Sequence, residues 1–348
     1  MGAYGPHCRF LGKKEEKMPT VMIMTKKFAE VSRDPITTLQ EAGFTVEEKD
    51  YDRVRPSQED EVCQVIQGAD AIIVTAMFPA TRKIIESSGR LKMIAIRSAG
   101  FEGSDLKAAT DNGVVVTNNP GSNSDSVADM TVGLMLAVSK QIAKKDREMR
   151  KGLYPRGSGG EDLFRKTVGI IGLGNIGKRV AKRLQGFEAK IIANDIVEYP
   201  DFQKQYNIPY CPKEELLQKA DFVTLHVPLD NSTRGMINED RLRLMKKTAF
   251  LINTARGAIL DEKALYRALK EGWIAGAGLD AYETEPPAFR DHILLENVVA
   301  TPHIAGLSNQ ASYAMAMETV KKVITFFKGK VPENVLNPEV LKKLTLSA

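Results

Sequence analysis

Short apolar runs alternate along this chain with longer polar stretches whose spacing suits helices. Residues 21–24, 71–75, 93–96 and 114–116 read as apolar strands, and 35–42, 59–67 and 104–112 between them read as helices. That alternation predicts βαβ units and a parallel sheet. Segment 126–142 is apolar on nearly every side through Val127, Met130, Val132, Leu134, Leu136 and Val138, with Ser126 and Asp129 spaced as a capping box. A helix apolar all round is expected to be buried all round, by a second domain or a second subunit. Residues 151–162 are rich in Gly, Pro and Ser and predict a loop. A second alternating series follows at 167–171, 190–194, 222–226, 249–253, 276–279 and 298–300; six such strands suit a doubly wound nucleotide-binding domain. The first series is one element short, so the helical tail 310–327 is expected to return to it. The fold class is therefore α/β, with two Rossmann-like doubly wound parallel-sheet domains and a cleft between them. Residues 18–118 plus 310–348 form one domain and 119–309 the other. Residues 1–17 lack the apolar core of a signal peptide and are expected to be a disordered leader.

Composition narrows the picture. The 348 residues are 43% hydrophobic and 27% charged, the balance of a soluble two-domain protein. The net charge of +5 arises from 49 basic and 44 acidic side chains that are interleaved, which points away from nucleic acid. No apolar run reaches the length of a membrane span, so no membrane partner is expected. Cys8, Cys63 and Cys211 stand far apart, without redox-pair or metal-site spacing. Reduced thiols in a cytoplasmic protein, and no metal, are the expectation.

The strand 167–171 leads directly into Gly172-Leu173-Gly174-Asn175-Ile176-Gly177, and a helical run follows at 178–184. In that context the three glycines have separate tasks. Gly172 permits the tight turn, Gly174 lets backbone approach a pyrophosphate, and Gly177 lets helix and strand pack closely. The helix N-terminus adds amide donors and the positive end of its dipole. Asp195 ends the next strand at about the 20-residue spacing of a ribose-binding carboxylate. It accepts from ribose hydroxyls and repels a 2′-phosphate, and Ile196 and Val197 bring no cation to offset that. NAD is the expected cofactor, in preference to NADP.

Downstream, Arg256, Glu285 and His303 occur in that order. An arginine grips an anionic substrate in planar geometry, an imidazole moves a proton, and a neighbouring carboxylate favours the charged imidazolium. Together they are a kit for hydride transfer next to a bound nucleotide. Of the other histidines, His226 ends a strand and reads as a cofactor-cleft or packing residue, His292 as surface, and His7 as part of the leader. Arg97 either contacts an anionic substrate or ends a strand.

At this level the chain resembles the D-isomer-specific 2-hydroxyacid dehydrogenase family, over nearly all of residues 71–337. The resemblance rests on the glycine fingerprint, Leu225-His226-Val227-Pro228-Leu229, Asn253-Thr254-Ala255-Arg256-Gly257, Gly278-Leu279-Asp280-Ala281-Tyr282-Glu283, Glu285-Pro286 and Thr301-Pro302-His303-Ile304-Ala305. The stretch from Asn119 to Leu136 is similar to the family's interdomain helix. The resemblance implies a substrate that is a small 2-hydroxy or 2-keto acid. Arg256 would bind its carboxylate and carbonyl, and His303 would act as acid/base with Glu285 behind it. It further implies that the amides of Ser98, Ala99 and Gly100 cradle the carboxylate, that Asp280 meets the nicotinamide amide, and that His226, Pro228 and Thr254 line the cofactor side.

Within the family, phosphoglycerate dehydrogenases carry an Arg-Ser pair where this chain has Thr75-Ala76-Met77-Phe78. Phosphoglycerate is thereby the alternative, with Arg82, Lys83 and Arg97 as the cations left to replace the pair. Met77 and Phe78 are expected to form an apolar wall. Formate-oxidising relatives carry Gln in place of Glu285. The chain stops soon after the returning helix, so no C-terminal regulatory domain is expected. A different class, an NAD(H)-sensing corepressor-like binding protein, also retains the Arg, Glu and His, but long flanks are its mark. The apolar segment 126–142 predicts a homodimer.

Overall fold

The computed structural model describes residues 18–51, 54–157 and 159–347. The leader, with His7 and Cys8, lies outside the described residues. The chain forms two compact units, one running to Asn119 and resuming at Ala316, the other comprising Pro120–Met315. The first crossing falls one residue beyond the expected boundary. The second falls six residues later than expected, inside a helix.

The first unit contains β1 (Thr20–Ile23), α1 (Asp34–Glu41), β2 (Thr45–Glu48), α2 (Glu59–Val65), β3 (Ala71–Val74), α3 (Arg82–Glu86), β4 (Met93–Ile96), α4 (Leu106–Asp111) and β5 (Val115–Thr117). All strand pairs are parallel, in the order β2-β1-β3-β4-β5. β1, β3, β4 and β5 are buried throughout, because helices cover both faces of a parallel sheet. β2, which the sequence pattern did not reveal, is the edge strand and only partly buried, so its Thr-Val-Glu-Glu sequence carries no apolar run. One face of the sheet packs on α2, α3 and α4 through Val62, Ile84, Ile85 and Ala108. The other packs on α1 and on Ala316, Val320, Val323 and Phe326 of the returning helix.

The second unit begins with α5 (Ser124–Ser139) and α6 (Ile142–Arg150). β6 (Thr167–Ile171), α7 (Asn175–Leu184), β7 (Lys190–Asn194), α8 (Pro200–Tyr206), α9 (Lys213–Lys219), β8 (Phe222–Leu225), α10 (Glu239–Leu244), β9 (Phe250–Asn253), α11 (Glu262–Lys270), β10 (Gly276–Leu279) and β11 (Val298–Ala300) follow. α12 (Asn309–Phe327) then runs from this unit into the first. The parallel sheet has the order β11-β10-β9-β8-β6-β7, and a single bridge from Ala193 to Tyr210 extends it beyond β7. The winding direction reverses between β6 and β8, and ligands of such sheets bind at the carboxyl ends of the strands there. α5 and α7 cover one face, and α9, α10 and α11 the other.

Two helix expectations need correction. α5 starts two residues before Ser126, so the capping box is absent; the Ser126 hydroxyl instead donates to the Ala305 carbonyl at 2.6 Å. Nor is α5 buried all round. Asp125, Asp129 and Gly133 are exposed, and the two aspartates form ion pairs with Arg179 and Arg183 of α7. No helix among the described residues is long and apolar enough to cross a membrane.

Candidate active site

β6 delivers the glycine fingerprint to the point where the winding reverses. Gly172 has φ +97°, and a Cβ there would lie 2.7 Å from the His226 backbone. At Gly177 a Cβ would lie 2.1 Å from the Gly172 carbonyl oxygen, so strand, turn and helix close together only without side chains. Gly174 is the N-cap of α7 and supplies no capping side chain, while a Cβ built on it meets nothing within 4 Å. The first amides of the helix, at Asn175, Ile176 and Gly177, are thus left for an anion.

Asp195, just past β7, braces this turn. Its Oδ2 accepts from the Leu173 amide at 2.6 Å and its Oδ1 from the Val197 amide at 3.1 Å. Ile196 and Val197 beside it are exposed. Sequence reasoning missed Lys178, one turn into α7, whose Nζ lies 3.2 Å from the centre of the Tyr199 ring. Burial lowers its pKa, and the charge of Asp195 opposes that shift. Its spacing from Gly174, four residues on, was the available signal.

His226 follows β8. Its Nε2 lies 2.9 Å from the Thr224 hydroxyl, and its buried Nδ1 has no partner among the described residues. Burial pushes its pKa down to about 3, so it is neutral at ordinary pH and unsuited to donating a catalytic proton. Pro228 is exposed, and its carbonyl accepts from the Thr233 hydroxyl at 2.7 Å. Thr254 is buried with its hydroxyl 2.9 Å from that of Thr131 on α5. The glycine cradle, the uncapped helix start and the orphaned Nδ1 of His226 fit a dinucleotide.

The second cluster is built from three loops. At the end of β9, the Asn253 side chain donates to the Arg256 carbonyl at 3.0 Å and accepts from the Ala255 amide at 3.1 Å, which turns the chain and fixes Arg256. Arg256 Nη1 donates to the Ala255 carbonyl at 2.9 Å. Gly257 lets this loop lie directly on another, since a Cβ there would sit 1.8 Å from the Tyr282 carbonyl carbon. The chain then turns so that the Tyr282 amide donates to Glu285 Oε1 at 3.2 Å. His303 Nδ1 lies 2.7 and 2.8 Å from the two Glu285 oxygens.

His303 has φ +54°, in the left-handed region, at a cost on the order of 1 kcal/mol. Buried Asp280, at the end of β10, holds the loop in that shape. It accepts from the Thr301 hydroxyl at 2.6 Å, the Ile304 amide at 2.9 Å and the Ala305 amide at 2.8 Å. Most of its acceptor capacity therefore goes to the His303 loop, a use that the sequence did not show.

The side chains of His303 and Glu285 are 42% and 22% exposed. The bond from Glu285 raises the His303 pKa above 6.5, against burial and the charge of Arg256. Burial pushes the Glu285 carboxyl up, but His303, the Tyr282 amide and Arg256 together outweigh it, and its pKa falls below 4.5. With Nδ1 committed to a carboxylate, Nε2 is the ring atom left to exchange a proton.

In the first unit, the loop after β4 holds Ser98, Ala99 and Gly100. Asn119 donates its amide to the Ser98 carbonyl at 2.9 Å, and the Asn118 side chain donates to the Ala99 carbonyl at 2.6 Å. The three loop amides donate to no acceptor among the described residues. Arg97 is buried and donates to the Lys27 carbonyl at 2.8 Å.

Three expectations are corrected here. His292 is not a surface residue: it is 0% exposed, stacked on Phe289 at 5.2 Å, and 4.0 Å from Glu262. Its apolar cover comes from aromatic residues that adjacent charges in the sequence concealed. Phe78 belongs to the core of the first unit, so of the expected apolar wall only Met77 is exposed. Arg82 is taken by Glu86 and Asp111, and Lys83 by Asp60 and Glu59, in place of the anion-binding role considered for them.

The model of the D-isomer specific 2-hydroxyacid dehydrogenase NAD-binding domain matches residues 132–305. A glyoxylate reductase of Korarchaeum cryptofilum is 40% identical over 293 residues, 82% of this chain and 88% of that protein. A D-3-phosphoglycerate dehydrogenase of Methanocaldococcus jannaschii is 39% identical over 296 residues, 80% of this chain but 53% of that protein. The structure of D-lactate dehydrogenase from Aquifex aeolicus, complexed with NAD and lactic acid, aligns with a TM-score of 0.76 at 31% identity, over 93% of this chain and 98% of that one. The chain belongs to the D-isomer-specific 2-hydroxyacid dehydrogenases. It is an NAD-dependent oxidoreductase that interconverts 2-hydroxy acids and 2-keto acids.

Proposed function

We propose that the substrate is a small unphosphorylated 2-keto acid, glyoxylate first, and that Arg256, Glu285 and His303 act on it. The observation that carries this reading is the two-oxygen contact between Glu285 and His303 Nδ1, with Arg256 on the adjoining loop. Glu285 keeps the imidazole protonated, so Nε2 donates to the carbonyl oxygen during reduction and takes the proton back in oxidation. The Arg256 guanidinium binds the carboxylate and stabilises negative charge developing on that oxygen. The Ser98, Ala99 and Gly100 amides add donors for the carboxylate.

When bound, NADH supplies the hydride from C4 of its nicotinamide. Gly172, Gly174, Asn175, Ile176 and Gly177 would hold the pyrophosphate and Asp195 the ribose. His226, Pro228, Thr254 and Asp280 would line the nicotinamide side. The first unit is then the substrate-binding domain and the second the NAD-binding domain.

Several relatives are named glyoxylate reductases, and the cations considered for a phosphate are engaged in ion pairs or, for Arg97, with a backbone carbonyl. Both observations favour glyoxylate over 3-phosphohydroxypyruvate. A cytosolic homodimer fits the free thiols of Cys63 and Cys211. It also fits the exposed apolar side chains of Ile142, Met149, Leu153, Tyr154 and Phe164. Steady-state NADH and NADPH oxidation with glyoxylate, pyruvate, hydroxypyruvate and 3-phosphohydroxypyruvate tests the assignment, and light scattering on the same preparation reads the oligomeric state. Glyoxylate with NADH is expected to lead; preference for the phosphorylated acid would overturn the substrate class.

A further inference from the structure

We propose that Lys322 is a positioning residue for substrate: its ammonium anchors Asn118 and Asn119, which orient the Ser98–Gly100 amides. This rests on the role given to that loop above. Lys322 lies on α12 between the core residues Val320 and Val323 and is only 4% exposed. Its Nζ donates to the Asn118 carbonyl at 2.6 Å and to Asn119 Oδ1 at 2.5 Å. A buried ammonium costs several kcal/mol, and an apolar side chain of the same length would fill this position at less expense. What the lysine provides is placement.

The placement propagates through two asparagines to three consecutive carbonyls. With its Oδ1 held by Lys322, Asn119 turns its Nδ2 toward the Thr319 hydroxyl at 2.7 Å and the Arg97 carbonyl at 3.3 Å. Its amide donates to the Ser98 carbonyl at 2.9 Å. Asn118, held by its own carbonyl, donates its Nδ2 to the Ala99 carbonyl at 2.6 Å. Carbonyls 97, 98 and 99 are thus all bound from the Asn118–Asn119 side. In a planar trans peptide the N–H of the next residue points opposite to the carbonyl. Fixing those three carbonyls therefore directs the amides of Ser98, Ala99 and Gly100 to the opposite side, where none of them donates to an acceptor among the described residues. Those are the three amides assigned to the substrate carboxylate, and Lys322 sets their direction without touching it.

Lys322→Met keeps the length and removes the donors. Asn118→Asp leaves the carbonyl that binds Lys322 but removes the donor to Ala99. Each is expected to raise KM for glyoxylate at least tenfold, to change kcat less than threefold and to leave NADH affinity, read by fluorescence, unchanged. Amide exchange in a peptide covering 114–121, which holds the Asn119 N–H bonded to Ser98, is expected to speed up in Lys322→Met. Exchange in 172–177 serves as the control and is expected to stay constant. Unchanged exchange in 114–121 would overturn the proposal whatever the activity. Faster exchange with an unchanged KM would overturn the link to substrate. Absence of turnover by the wild-type protein on any 2-keto acid would instead sink the assigned substrate class, and the exchange result would still decide whether Lys322 holds the loop.

Discussion

The second unit contains two histidine–glutamate pairs, and their fates are opposite. His303 is partly exposed, with Nδ1 within 2.8 Å of both Glu285 oxygens, and its pKa is raised. His292 is fully buried, 4.0 Å from Glu262, and neither ring nitrogen has a hydrogen-bond partner among the described residues. Burial lowers its pKa. The partner carboxylates diverge in step: Glu285 is lowered, whereas burial raises Glu262. Proximity of an imidazole and a carboxylate does not by itself make an acid–base pair. A direct bond to the charged form, with one ring nitrogen left open, makes it; burial without that bond gives a neutral packing residue.

The largest effect expected from this contrast is on turnover. His303→Ala should lower kcat for 2-keto acid reduction by about 10²- to 10⁴-fold, the usual contribution of a positioned acid. His292→Ala, assayed where it remains folded, should change kcat by less than about threefold, as for a residue outside the reacting groups. Comparable losses in both variants would erase the distinction.

A smaller effect separates the pairs in stability. His292→Leu removes two unsatisfied buried nitrogens and should raise stability by about 1 kcal/mol. The folded pKa of His292 lies below 6.5, so the unfolded chain takes up the proton first as pH falls. The gain should therefore grow below pH 6.5. For His303 the sign reverses: its raised pKa stabilises the fold below 6.5, and that contribution fades as pH rises through the folded value. Thermal melts of His292→Leu and wild type at pH 8 and pH 5.5 check this. A gain that shrinks with acidity would contradict it.

Much of the fold was legible because a parallel sheet covered on both faces writes itself as apolar runs, as at 71–74 and 93–96. The edge strand β2 was not, since half-exposed Thr45-Val46-Glu47-Glu48 alternates too weakly. α6 was missed for the same reason, having no buried residue. In the site, the glycines and the order Arg256, Glu285, His303 could be read, because close backbone approach and charge require particular residue types. The clamp by Asp280, the Thr131–Thr254 contact and the anchoring by Lys322 could not. Each joins positions more than 20 residues apart, up to 204, and only the folded chain brings them together.

We propose that Glu285 keeps His303 charged for catalysis. The pH dependence of kcat/KM for NADH-dependent glyoxylate reduction, in wild type and Glu285→Gln, tests it most directly, with Glu262→Gln as the control. In the wild type the alkaline limb should lie above pH 6.5, since reduction needs the imidazolium. In Glu285→Gln the limb should move to lower pH, because the bond that raised the His303 pKa is weakened, while Glu262→Gln should leave it in place. An alkaline limb that stays put in Glu285→Gln would contradict the account.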